Sequence, residues 1–194
     1  MGRESNKGDS DYFNPWSTAV TIFTGGENIS DEGYVDNGRG YKVAFITELF
    51  ELNFRGLAFG EYSISSKAKC LRNRKKCEAT VNLNCDCGFY AFYNKNMALE
   101  FVDERRGLYL LEVEFYGKII EHSNGLKGSE QDVIRVFIPN ECAKSLCKRD
   151  AIFFTKHKTI FGKKIYKVSC DVHQNETSYE ISSLKNNDID IVRM

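Results

Sequence analysis

The chain has 194 residues, 42% of them hydrophobic and 28% charged, which is the make-up of a folded domain rather than a disordered segment. Its 27 basic and 27 acidic residues cancel, so no overall field draws nucleic acid or acidic membranes, and such a contact needs a local patch. No apolar run approaches the roughly 18 residues of a membrane span. The polar start (Met1 to Asp11) lacks the apolar core of a signal peptide, so a cytoplasmic, reducing setting with no membrane partner is expected.

In chain order, residues 1–11 are expected to fray. Residues 12–170 are expected to form one α+β domain, and 171–194 a tail or edge strand. Trp16 to Thr24 is rich in β-branched and aromatic residues and reads as a strand or docking segment; Glu27 to Gly40 reads as a loop. Tyr41 to Phe50 and Leu52 to Phe59 read as an antiparallel pair, and Phe89 to Tyr93 is strongly β-prone. Asn94 or Asn96 can cap a helix to about Arg105, with Met97, Ala98, Phe101 and Val102 on one face. Leu108 to Tyr116 alternates, Leu111, Val113 and Phe115 against Glu112 and Glu114. Gly117 suggests a bulge before Ile119-Ile120. Asn124-Gly125 signals a hairpin turn, with Val133 to Ile138 as a later strand. Asn140 to Cys147 reads as a short helix. Two short strands, Ile152 to Phe154 and Ile165 to Val168, flank a turn at Gly162. The fold class is therefore α+β, mainly antiparallel sheet with one or two short helices.

Seven cysteines, an odd number without an export signal, argue against a disulfide framework. Four of them, Cys70, Cys77, Cys85 and Cys87, fall within 18 residues, and four thiolates at these spacings can close on one zinc ion. Gly88 suits a tight backbone turn beside a metal. Lys67, Lys69, Arg72, Arg74, Lys75 and Lys76 lie in or just before this segment, where cations offset the charge of a four-thiolate centre and depress thiol pKa values. The same cations also fit a nucleic-acid contact.

The run Arg39-Gly40-Tyr41, then Cys70, then Cys85-Asp86-Cys87-Gly88-Phe89-Tyr90-Ala91 resembles a group of uncharacterised bacterial proteins with a segment of the form C…H…CxCG[IV]YA. Their downstream motif, close to WGxVVEHExGxRA, is similar to Tyr116-Gly117-Lys118-Ile119-Ile120-Glu121-His122 followed by Gly125, Lys127 and Gly128. Cys77 stands near the place where that group tends to have His, an exchange that keeps a zinc ligand. The resemblance covers about residues 39 to 140 and implies a fold and a metal site, not a reaction.

Other constellations compete. Glu121 and His122 are neighbours on a strand and face opposite ways, which suits a structural role better than an acid–base pair. Glu112 and Glu114 share a face about 7 Å apart, as on a solvated outer surface. Cys142 and Cys147 lie five apart on the expected helix, off a common face. Cys170 and His173 make a possible metal pair that lacks two further ligands nearby. Residues 148–167 interleave seven cations with Phe153, Phe154, Phe161 and Tyr166, as single-strand binders or an ordinary wet hairpin do. There is no P-loop, GxGxxG or GxSxG motif. The expected function is a non-enzymatic module that binds an unidentified protein partner through a zinc-organised surface. The alternatives are a nucleic-acid-binding protein using segments 67–76 and 148–167, and an enzyme around Glu121 and His122.

Overall fold

The structure is a computed structural model that describes residues 34–35, 38–57, 60–69, 81, 87–159, 162–184 and 189–194. Its strands are β1 (Tyr34–Val35), β2 (Gly38–Glu48), β3 (Asn53–Gly56), β4 (Glu61–Tyr62), β5 (Ser65–Lys67) and β6 (Phe89–Phe92). The helix α1 (Lys95–Leu99) follows, then β7 (Leu108–His122), β8 (Gly125–Ile138), β9 (Phe153–Lys158), β10 (Lys164–Ser169), β11 (Ser178–Glu180) and β12 (Asp190–Arg193). Pairing is antiparallel throughout except for β12, which runs parallel to β8. The expected α+β, mainly antiparallel architecture is what the chain adopts. No helix among the described residues is long and apolar enough to cross a membrane.

The long β7–β8 hairpin turns at Ser123-Asn124, with His122 opposite Gly125. Its register shifts between Tyr116 and Ile119, where Gly117 has φ 72°, so the expected bulge is present. β7 also pairs with β2, β8 with β6, and β6 with β2 through Tyr41 and Phe92. These four pairings close on themselves into a small ring. Its packing is tight enough to require glycine. A Cβ at Gly128 would sit 2.5 Å from a Phe115 ring carbon, and one at Gly40 2.8 Å from the Ala91 Cβ.

Leu111, Val113 and Phe115 enter the main core with Phe54, Tyr109, Phe154 and Tyr166. The other face of β7 is not simply solvated. Leu110 joins Val43, Phe92, Ala98 and Phe137 in a second core, and Glu112, 7% exposed, accepts a hydrogen bond from Arg135 at 2.7 Å. Glu114 accepts from Tyr116 and Arg39, which together hold its carboxyl below the usual range.

The helix is shorter than expected. Asn94 caps it by accepting from the Asn96 N–H at 2.8 Å, but the backbone then tightens into Phe101-to-Ala98 and Val102-to-Leu99 bonds. Asp103 takes over beyond, its side chain accepting from the Arg106 N–H, and Gly107 at φ 84° reverses the chain. The expected apolar face survives this. Met97, Ala98, Phe101 and Val102 all pack in the second core, and Phe101 stacks on Phe92 at 5.5 Å.

Residues 140–147 are not a helix. Glu141 bridges to Asp150 as in a sheet, Leu146 has φ 64°, and the segment folds back on itself. Beyond it, β9 and β10 form the expected hairpin. Residues 171–194 contribute β11, a short 3-10 helix at Ile181–Leu184, and β12.

Candidate metal centre

Of the four cysteines that the spacing singles out, only Cys87 lies among the described residues, where it is half-buried. Cys70, Cys77 and Cys85 fall outside them, as do Arg72 to Lys76. Gly88 does carry a left-handed backbone, φ 126°, packed against Lys127 and Gly128. Lys67, on β5, pairs with Glu130 at 3.1 Å.

The other three cysteines are the ones the fold gathers. Cys142, Cys147, Cys170 and His173 place one ligand atom each within 4.8 Å of all the others. Two local structures accomplish this. In the loop before β9, the Cys142 N–H donates to the Arg149 carbonyl at 2.9 Å and Ala151 to Asn140 at 2.7 Å, pinching the base. The Cys147 N–H donates to Lys144, and the left-handed Leu146 turns the chain back, so that Cys147 faces Cys142. After β10, the His173 N–H donates to the Cys170 carbonyl at 3.2 Å, a tight turn that brings both side chains to one side. Ala143 to Val168 and Ile152 to Ser169 then tie the loop to the strand end.

The separations suit a tetrahedral centre. Cys147 Sγ lies 3.8 Å from Cys170 Sγ, and His173 Nδ1 lies 3.5 Å from Cys142 Sγ and 3.3 Å from Cys170 Sγ. Metal bonds of zinc length, ~2.3 Å to sulfur and ~2.0 Å to nitrogen, give tetrahedral edges of about 3.8 Å between sulfurs and about 3.5 Å between sulfur and nitrogen.

Burial pushes the Cys142 thiol up, against hydrogen bonds from the Lys144 and Cys170 N–H groups that favour the thiolate. At Cys170 burial acts the same way. Here hydrogen bonds from the His173 and Val172 N–H groups, with the neighbouring thiols, outweigh it, and the thiol is lowered. Backbone N–H groups aimed at sulfur are how a metal-binding turn stabilises its ligand charge. Cys142 and Cys170 are buried, Cys147 is half-buried and His173 exposed, so the group opens to solvent on one side. Outside it, Arg149 pairs with Asp171 at 3.3 Å, linking the two ligand-bearing segments a second time.

The two pairs complete each other. Cys142 and Cys147 supply the two further ligands that Cys170 and His173 need. The signal was present as pair, hairpin, pair, the order of two-knuckle zinc sites.

The enzyme alternative gains little. Glu121 and His122 are half-buried beside the β7–β8 turn, and Glu121 is engaged by Tyr93, whose hydroxyl burial and that carboxylate push up to about 12. No protein-family model, curated protein or solved structure matches this chain.

Proposed function

We propose that this chain is a non-enzymatic binding module in which a structural zinc ion, held by Cys142, Cys147, Cys170 and His173, clasps the root of the β9–β10 hairpin. The observation that carries the reading is the gathering of three thiols and one imidazole within 4.8 Å of one another, at separations a tetrahedral centre can use. Two ligands precede the hairpin and two follow it, so a metal there fixes how the hairpin leaves the body. Four protein ligands leave no position for an activated water, which makes the centre structural rather than catalytic. The Cys70, Cys77, Cys85 and Cys87 set is proposed as a second zinc site, supported by its spacing, its adjacent cations and the resemblance to the bacterial group.

Metal content tests both. Protein purified without added metal is compared with Cys170→Ser/His173→Ala and with Cys85→Ser/Cys87→Ser. One zinc per chain, lost in the first variant and kept in the second, supports the clasp alone. Two per chain, with one lost in each, supports both sites. Zinc lost only in the second variant, or no zinc in any protein, overturns the clasp.

A further inference from the structure

We infer that the β9–β10 hairpin is a binding surface for single-stranded nucleic acid, with Lys156, Lys158, Lys163 and Lys164 contacting phosphates and Phe50 stacking on a base. Residues 153–169 contain five lysines and no acidic residue, whereas the chain as a whole is balanced. Elsewhere among the described residues several cations are matched. Arg39 meets Glu114, Lys67 meets Glu130, Arg106 meets Asp103, Arg135 meets Glu112 and Asp190, Lys148 meets Glu141, and Arg149 meets Asp171. Among the described residues no ion pair involves a lysine of the hairpin.

The arrangement works against the fold's own stability. Lys158 stands directly opposite Lys164 across the two strands, a like-charge pair that weakens an antiparallel ladder. Both side chains are exposed, as is Lys163 beside the Gly162 turn. Lys156 follows on the same face as Lys158, within 5.5 Å of the Tyr166 ring centre, with Glu48 the nearby acid. Unmatched charges kept opposite one another are explained by a polyanion that lies across them.

The aromatic neighbour selects which polyanion. Phe50 is 61% exposed, yet it is held in place, edge-on to Tyr179 at 5.1 Å. Tyr179 in turn lies 6.4 Å from Tyr166, the ring that carries Lys156. A fixed, exposed ring beside a lysine row is the combination by which unpaired bases stack while their phosphates are neutralised. An acidic peptide does not need that ring, and one ring offers a membrane interface little apolar area to bury. The inference stands on the hairpin's own surface and holds whether or not the clasp at its root carries metal.

The test is fluorescence anisotropy with labelled oligo-dT and oligo-U of 20 nucleotides, on full-length, metal-analysed protein. About four phosphate contacts give a log–log salt slope near −2.8, so affinity falls about 50-fold between 50 and 200 mM salt. Lys158→Gln/Lys164→Gln should reduce the slope by about 1.4. Phe50→Ala should weaken binding roughly 5- to 150-fold with the slope unchanged. All three positions are exposed, and melting curves are to check that the variants fold. No binding at low salt overturns the inference. So does binding that ignores Phe50→Ala, or poly-glutamate competing as well as oligo-dT.

Discussion

The β2–β6–β7–β8 ring and the β9–β10 hairpin solve the same problem differently. The ring is packed until only glycine fits at Gly40 and Gly128, and its polar face is closed by Arg135 with Glu112 and by Arg39 with Glu114. The hairpin is buried only toward its base, where Phe154, Ile165, Tyr166 and Val168 reach the core, and its outer half carries unmatched lysines. There the chain relies on the Cys142–His173 group and on a buried hydroxyl, Tyr109 donating to the Tyr166 carbonyl and accepting from the Val168 N–H. The lesson is that apolar density and charge pairing go together. Where the core thins, discrete links replace it, and the surface is left for other uses.

The comparison breaks most visibly in the ring. Phe115→Ala should cost about 3–5 kcal/mol, because the strands around Gly128 cannot collapse into the space. Chemical denaturation measures this, and a loss below about 1 kcal/mol would mean the ring is less tightly built than its glycines require. Next comes the clasp. If the proposed zinc is bound, Cys170→Ser should destabilise by about 3 kcal/mol, through the loss of its ligand and a buried sulfur. Hydrogen exchange should localise the loosening to 140–173 while β7 and β8 keep their protection. Uniform loss of protection would show that the two regions unfold as one.

A smaller effect sharpens the ring side. Lys42, on β2, donates to Gln131 at 3.0 Å and lies 4.6 Å from the Tyr62 ring centre, and burial pushes its ammonium down to about 7. The unfolded chain holds this proton up to about pH 10.4, so between about 7 and 10.4 the unfolded state binds more protons and stability rises with pH. The gain is on the order of a few kcal/mol across the window. Lys42→Met should flatten that slope relative to wild type in matched denaturant titrations, and an unchanged slope would assign it to other groups.

Much of the sheet is legible in the sequence because its signals are local. Alternation over 108–116, the glycine bulge at 117 and the turns near 124 and 162 each act within a few residues, and each is where expected. The Cys142–His173 group is not local. A helical reading of 140–147 sets Cys142 and Cys147 on different faces, and what overrides it is tertiary. The Cys142–Arg149 hydrogen bond and the left-handed Leu146 replace the helix, and the Ala143-to-Val168 hydrogen bond sets the loop beside Cys170. Glu112 and Glu114 mislead for a similar reason, since Arg135 and Arg39 arrive from other strands. Of the segment that spacing favours, 70–85, only Val81 lies among the described residues.

The ring has one more consequence, for how the folded chain behaves in crowded solution. Strands that close on themselves offer no open edge for another copy to extend. Among the described residues, strands paired on one side only are short. β1 and β4 have two residues, β5 and β11 three, and β12 four. Templates of that length hold too few ladder bonds to seed a growing intermolecular sheet, so the described sheet carries its own protection against fibre formation.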